Sequence, residues 1–184
     1  MLQRRRCVLA LLAAGLPAAA VRARGTPSAP AEVAAEWPQA RRVGSGRLRF
    51  LGLHVYDARL WSPGPLDAGD WATRPFALEL VYARSLQGAS IASRSLAEMR
   101  RQGPFDDNTS ARWLTAMTAA FPDVKDGDRL TGLHRPGDGA RIFHNGALQA
   151  EWRDTAFARH FFGIWLAPQT SDPALREALL GGRS

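Results

Sequence analysis

The stretch from Gly44 to Trp61, GSGRLRFLGLHVYDARLW, limits what this chain can fold into more than any other part of it. From Arg47 onward both alternating sets of positions are apolar: Leu48, Phe50, Tyr56 and Leu60 on one, Leu51, Leu53, Val55 and Trp61 on the other. A strand covered on both faces gives that pattern. The sequence therefore predicts one strand from Arg47 to Trp61, with Gly52 bending it or permitting a bulge, ended by the turn-rich run from Ser62 to Gly69. With Arg47 and Arg49 set among apolar neighbours, the stretch reads as the wall of a ligand pocket.

Downstream the period changes twice. Phe76 to Tyr82 alternates as a second strand; Ala89 to Arg101 and Asn108 to Phe121 then repeat at helical spacing, the latter with a cap expected at Asp107 or Asn108 and a stop at Pro122. Three strands follow: Arg129 to Arg135, Ala140 to Asn145 and, past the Asn145-Gly146 turn, Ala147 to Arg153. The simplest hairpin register places His134 opposite Arg141 and His144 opposite Thr131. Asp154 or Thr155 caps a helix with Phe157, Phe161, Ile164 and Trp165 on one stripe, and Asp172-Pro173 opens a last short helix closed by Gly181 and Gly182. Strands, a helix pair, a strand meander and closing helices predict an α+β domain with an antiparallel sheet and a helical layer on one face.

The N-terminus stands apart. Arg4, Arg5 and Arg6 precede an apolar run from Cys7 to Leu16 that is too short to span a bilayer, followed by small residues up to Ala23. Residues 1–23 read as a signal peptide cleaved after Ala23, or after Ala20, by the general secretory or the twin-arginine route, with a periplasmic or secreted mature protein. Residues 24–43, rich in Pro and Ala, read as a flexible arm that adds a short strand near its end, and 44–184 as a single domain. Arg4, Arg5, Arg6 and Arg22 belong to the leader, so the chain's net charge of +7 falls to +3 without them. The remaining arginines are spread along the chain with no run and no interleaved aromatic ladder, which excludes a nucleic-acid surface. The single cysteine lies in the leader, so neither disulfides nor thiol chemistry is expected of the mature chain.

Several chemistries lack their residues. The nearest approach to a nucleophile elbow, Gly88-Ala89-Ser90-Ile91-Ala92, has no second glycine, and Gly44-Ser45-Gly46 leads into a strand rather than a phosphate-binding helix. His54, His134, His144 and His160 contain no i, i+4 pair, so no metal site is predicted. The positive candidates are polar groups on the pocket wall. Arg47 and Arg49, at i and i+2, offer forked donors for a carboxylate or ketone oxygen, unless they pair with Asp57 or Glu79 or reach solvent. Tyr82 and Arg84 add a hydroxyl and a further cation, or a rim salt bridge. Tyr56 is a polar contact in an apolar wall or a core tyrosine. Trp113, Met117, Phe161 and Trp165 read as core.

Three motifs, Gly44 to Trp61, FPDVKDGDRLTGL from Phe121 and FFGIWLAP from Phe161 with DPALREALLGG after it, resemble the bacterial exported branch of the chalcone isomerase-like family. The resemblance implies an open-faced β-sandwich with a cleft between sheet and helices. It also implies one of two activities: cyclisation of a chalcone-like enone, or binding of a fatty acid without chemistry. The family's catalytic arginine corresponds to Arg47 or Arg49. Two hydroxyl partners of the plant enzymes are replaced, a threonine by a residue near Leu51 and the tyrosine of Gly-x-Tyr by Phe105 in Gly103-Pro104-Phe105. The leading expectation is thus a non-catalytic binder of a small amphipathic carboxylate, needing no cofactor. An intramolecular lyase on an enone is the second, and an envelope protein-interaction module the third.

Overall fold

In the computed structural model, which describes residues 28–182, six strands form one sheet: β1 (Arg41–Phe50), β2 (Leu53–Ser62), β3 (Phe76–Tyr82), β4 (Arg129–Arg135), β5 (Gly139–His144) and β6 (Ala147–Trp152). Each strand lies antiparallel beside its neighbour in sequence, so the sheet is a plain meander. The single long strand expected from Arg47 to Trp61 is instead a hairpin. Leu51 and Gly52 both adopt positive φ, 49° and 78°, the pair of values that a two-residue turn of the primed type requires. The doubled apolar pattern has two sources: the inward rows of two strands, and a tip whose Phe50, Leu51 and Leu53 face outward. Only Gly52 carried a turn signal; leucine is an unusual occupant of that conformation.

The other strands fall where their alternation placed them, within one residue at the ends. The β4–β5 register is offset by one from the simplest expectation, with His134 opposite Ala140 and His144 opposite Leu130. Gly139 opens β5, so the connecting turn is one residue tighter than the run from Pro136 to Gly139 suggested.

Four helices cover the inner face: α2 (Gly88–Met99), α3 (Asp107–Ala120), α4 (Thr155–Leu166) and α5 (Pro173–Leu179). Aspartate caps three of them. Asp106 accepts from Thr109 N at 2.7 Å, one residue before the expected cap, and Asp154 and Asp172 accept from Phe157 N and Leu175 N at 2.9 Å. Their apolar stripes meet Leu60, Phe76, Leu78, Ile142 and their neighbours in one core, in which Phe161 and Phe162 of α4 pack edge-on at 5.3 Å. Gly44 and Gly46 of β1 receive no phosphate. A Cβ on Gly44 would meet the carbonyl oxygens of Ala178 and Leu179, and one on Gly46 would lie 2.6 Å from Leu175 Cδ1, so these glycines let α5 rest directly on the strand.

The outer face is covered too. The stretch 28–43, expected as an arm, holds a fifth helix, α1 (Ala31–Glu36), and the start of β1. Val33 of α1 is fully buried against Trp61, Ala77 and Leu133, while Glu32 accepts from Thr131 Oγ1 at 2.7 Å and from the Arg129 guanidinium at 3.1 Å. Glu36 bridges Arg135 and Arg141 at 3.3 and 3.2 Å. Helix-forming Ala and Glu, with a single buried valine, suffice here because the sheet supplies the rest of the contact. The main helical layer stays on one face as expected, with α1 as a small addition opposite. The signal peptide expected at residues 1–23 lies outside the described residues. Among these, no helix is long and apolar enough to cross a membrane.

Candidate functional site

Between the inner face of the sheet and α2, α4 and α5 lies a cavity of about 590 Å³, within the range of small-molecule sites. The strand register lays out its floor. Leu48, Tyr56 and Tyr82 stand abreast on β1, β2 and β3; one row further in come Leu80 and Leu130, and then Leu78, Gly132 and Ile142. Gly132 matters in that last row, because a Cβ there would lie 2.9 Å from the ring of Phe162. The roof comes from Ile91, Ser95 and Glu98 of α2, Phe161 and Trp165 of α4, and the Thr170–Asp172 segment that leads into Leu175 of α5.

Burial shows where the cavity opens. The lining residues Leu78, Leu80, Leu130 and Phe162 are buried, whereas Arg49, Phe50, Arg84, Ser90 and Arg94 are exposed. The mouth is therefore at the end of the sheet that carries the β1–β2 turn.

The five residues singled out from the sequence separate into three positions. Tyr56 and Tyr82 are inside, buried, with their rings edge to face at 5.8 Å. Tyr56 Oη accepts from Trp165 Nε1 at 2.9 Å. Among the described residues nothing accepts the Tyr56 hydroxyl proton, and the Tyr82 hydroxyl has no hydrogen bond. Burial pushes both phenols well above the usual tyrosine range, and Asp172 and Glu98 push Tyr56 further against the opposing bond from Trp165. Both stay neutral and present O–H donors to the cavity.

Arg49 and Arg84 line the mouth. Arg49 reaches the carbonyl of Gly52 at 3.3 Å, and neither arginine has a carboxylate partner among the described residues. Arg47 lies elsewhere: it is on the outer face, where its Nε donates to Asp57 Oδ1 at 2.7 Å, and this pairing holds the Asp57 carboxyl below the usual range. The expectation that Arg47 and Arg49 share the cleft fails because the β1–β2 register slips between Leu48 and Arg49, so strict alternation does not cross that step.

Two pairs of side chains escaped the sequence reading. Arg94 and Glu98, one turn apart on α2, pair at 2.6 Å, and the Arg94 guanidinium sits 5.8 Å from the centre of the Phe50 ring. Glu98 is only 8% exposed, and its Oε2, 3.5 Å from Arg101 Nε, has no hydrogen bond. Phe161 and Trp165, read as core, also form cavity wall; an aromatic stripe looks the same in sequence whether it meets a side chain or a void. Trp113 and Met117 are core as expected.

The sequence profile of the chalcone isomerase-like family matches residues 50–181. The chain belongs to that family. A Haemophilus influenzae protein of uncharacterised function is 29% identical over 141 residues, covering 76% of this chain and 67% of its own. The solved structure of a fatty-acid binding protein from Arabidopsis thaliana superposes with a TM-score of 0.59 at 15% identity, covering 78% of this chain and 87% of its own, so the two share a fold.

Neither place at which the family resemblance implied a lost hydroxyl, near Leu51 and at Phe105, brings one to the cavity. Leu51 is 87% exposed at the hairpin tip. Phe105 packs on Trp113 with ring centroids 4.8 Å apart and does not line the cavity.

Proposed function

We propose that this protein binds a fatty acid or a similar amphipathic carboxylate without transforming it. The observation that carries the reading is the arrangement of charge around an apolar volume: the two arginines lacking carboxylate partners, Arg49 and Arg84, stand at the mouth of a cavity walled mainly by leucine and aromatic side chains. An acyl chain inside gains by leaving water, at roughly 0.8 kcal/mol per buried methylene, and its carboxylate at the mouth meets forked cations without being fully desolvated. Tyr56 and Tyr82 supply neutral donors along the way for any oxygen on the chain. The shared fold with a fatty-acid binding protein supports this reading. The cyclisation alternative has less support, since neither Leu51 nor Phe105 brings a hydroxyl to the cavity and both buried phenols are held in their protonated form.

Displacement of a fluorescent fatty acid tests the proposal. Arg49→Ala combined with Arg84→Ala is expected to weaken binding about tenfold to a hundredfold, the worth of about 1.5–3 kcal/mol for hydrogen bonds to a charged group. Arg47→Ala is expected to leave it unchanged. Equal affinity in the double variant would sink the anchor. From the basic and apolar N-terminal residues we further propose that the protein acts outside the cytoplasm after removal of residues 1–23. N-terminal sequencing of the exported form is then expected to begin at Arg24, or at Val21 for the earlier cleavage.

A further inference from the structure

The exposed large apolar side chains of the described molecule are not scattered. Phe50, Leu51 and Leu53, exposed by 56%, 87% and 55%, sit on the one turn that joins β1 to β2, and the remaining one, Leu148, is on β6 at the far edge of the sheet. Water-exposed clusters of this kind mark contact surfaces, whereas single exposed leucines do not.

The backbone sharpens the point. Leu51 holds φ at 49°, a conformation that Asn or Gly adopts readily and a branched side chain does not. The turn thus keeps a leucine where the fold itself favours another residue, and among the described residues that leucine is left 87% exposed.

The surroundings indicate the partner. Arg49 and Arg84 line the mouth together with Phe50 of the tip, neither with a carboxylate partner among the described residues, and Arg94, paired with Glu98, lies over the Phe50 ring. Phe50 belongs both to the tip and to the lining of the cavity, so whatever covers the tip also covers the mouth. Apolar side chains on an exposed turn, beside a mouth that carries two guanidinium groups without carboxylate partners among the described residues, match the boundary between acyl chains and anionic headgroups.

We propose that the β1–β2 turn docks on an anionic lipid bilayer, inserting Leu51 with Phe50 and Leu53, so that the cavity mouth faces the membrane. This goes beyond ligand binding and is measured independently of it.

The test is co-flotation of the purified protein with vesicles of phosphatidylethanolamine and phosphatidylglycerol, and in parallel with phosphatidylcholine vesicles. The protein is expected to float with the anionic vesicles, less so at high salt, and Leu51→Asn is expected to weaken that association about tenfold or more by removing the most exposed apolar side chain. Asn suits the backbone at this position, so the variant should melt no lower than the parent, and fatty-acid displacement measured in solution should be unchanged because Leu51 does not line the cavity. Failure of the parent to float with either vesicle, or undiminished flotation of Leu51→Asn, would overturn the docking proposal and leave the ligand reading standing. Self-association of the parent in solution, abolished by Leu51→Asn and without vesicle binding, would also overturn it, because the tip would then be a contact between two copies. Lost displacement in the arginine double variant touches the ligand reading alone.

Discussion

At the scale of single residues, the buried polar groups separate those that hold the fold from those that face the cavity. Tyr56 serves both: its oxygen satisfies the Trp165 indole while its proton stays available. Tyr56→Phe would leave that buried N–H without a partner, and we expect a loss of about 1–3 kcal/mol in urea unfolding. His134 is purely structural. Its Nδ1 donates to the carbonyl of Arg74 at 2.9 Å, its ring stacks on Phe76 at 4.7 Å, and burial lowers its pKa from the usual 6.5 against the opposing effect of that bond. The unfolded chain takes up this proton at a higher pH than the folded one. Stability is therefore fully present above about pH 6.5 and declines as pH falls toward the lowered folded value. The urea midpoint should drop between about pH 7 and pH 5, and His134→Gln should flatten that slope while the drop at lower pH persists. Asp57, Asp106 and Glu151, whose carboxyls are held below their usual range by Arg47, by the α3 N-terminus and by Arg141, lose stabilisation only as pH falls through their lower folded values.

Single elements show which signals a sequence carries plainly. β3, β4 and α4 were legible from alternation, helical spacing and an aspartate cap, because each of those signals is local. The β1–β2 hairpin was not, since Leu51 occupies a position where Asn or Gly would have announced the turn, and an outward-facing leucine imitates a buried one. The mouth arginines are half legible: strand parity points to Arg49 and Arg84, but the register slip after Leu48, which parts Arg49 from Arg47, leaves no trace in composition. Arg94 and Glu98 were missed because an i, i+4 pair on a helix ordinarily marks a solvated face. The contact of α5 with β1 can be broken at one point. Gly44→Ala puts a methyl group against the carbonyl oxygens of Ala178 and Leu179, and we expect a loss of about 1–3 kcal/mol by thermal unfolding together with weaker fatty-acid retention, as Leu175 and Asp172 shift away from the cavity.

Over the whole molecule, each end of the described chain closes a different side of the sheet. Residues 31–40 seal the outer face through Val33, Ala40 and the Glu32 and Glu36 ion pairs, so that segment belongs to the domain rather than preceding it. A chain beginning at Arg41 would expose Trp61 and Leu133 and strand Arg129 and Thr131, and it should unfold at markedly lower urea or fail to accumulate. The meander itself places no such demand, for every strand pairs with the one made just before it. The placement of α5 is the exception: it lies on β1, the first strand, yet is made after all six strands. However early the sheet zips together during synthesis, its first strand has no cover on that side until the C-terminal helix exists, so the wall that Leu175 gives the cavity is the last to be made, and a chain cut short before Pro173 is expected to leave that cavity open.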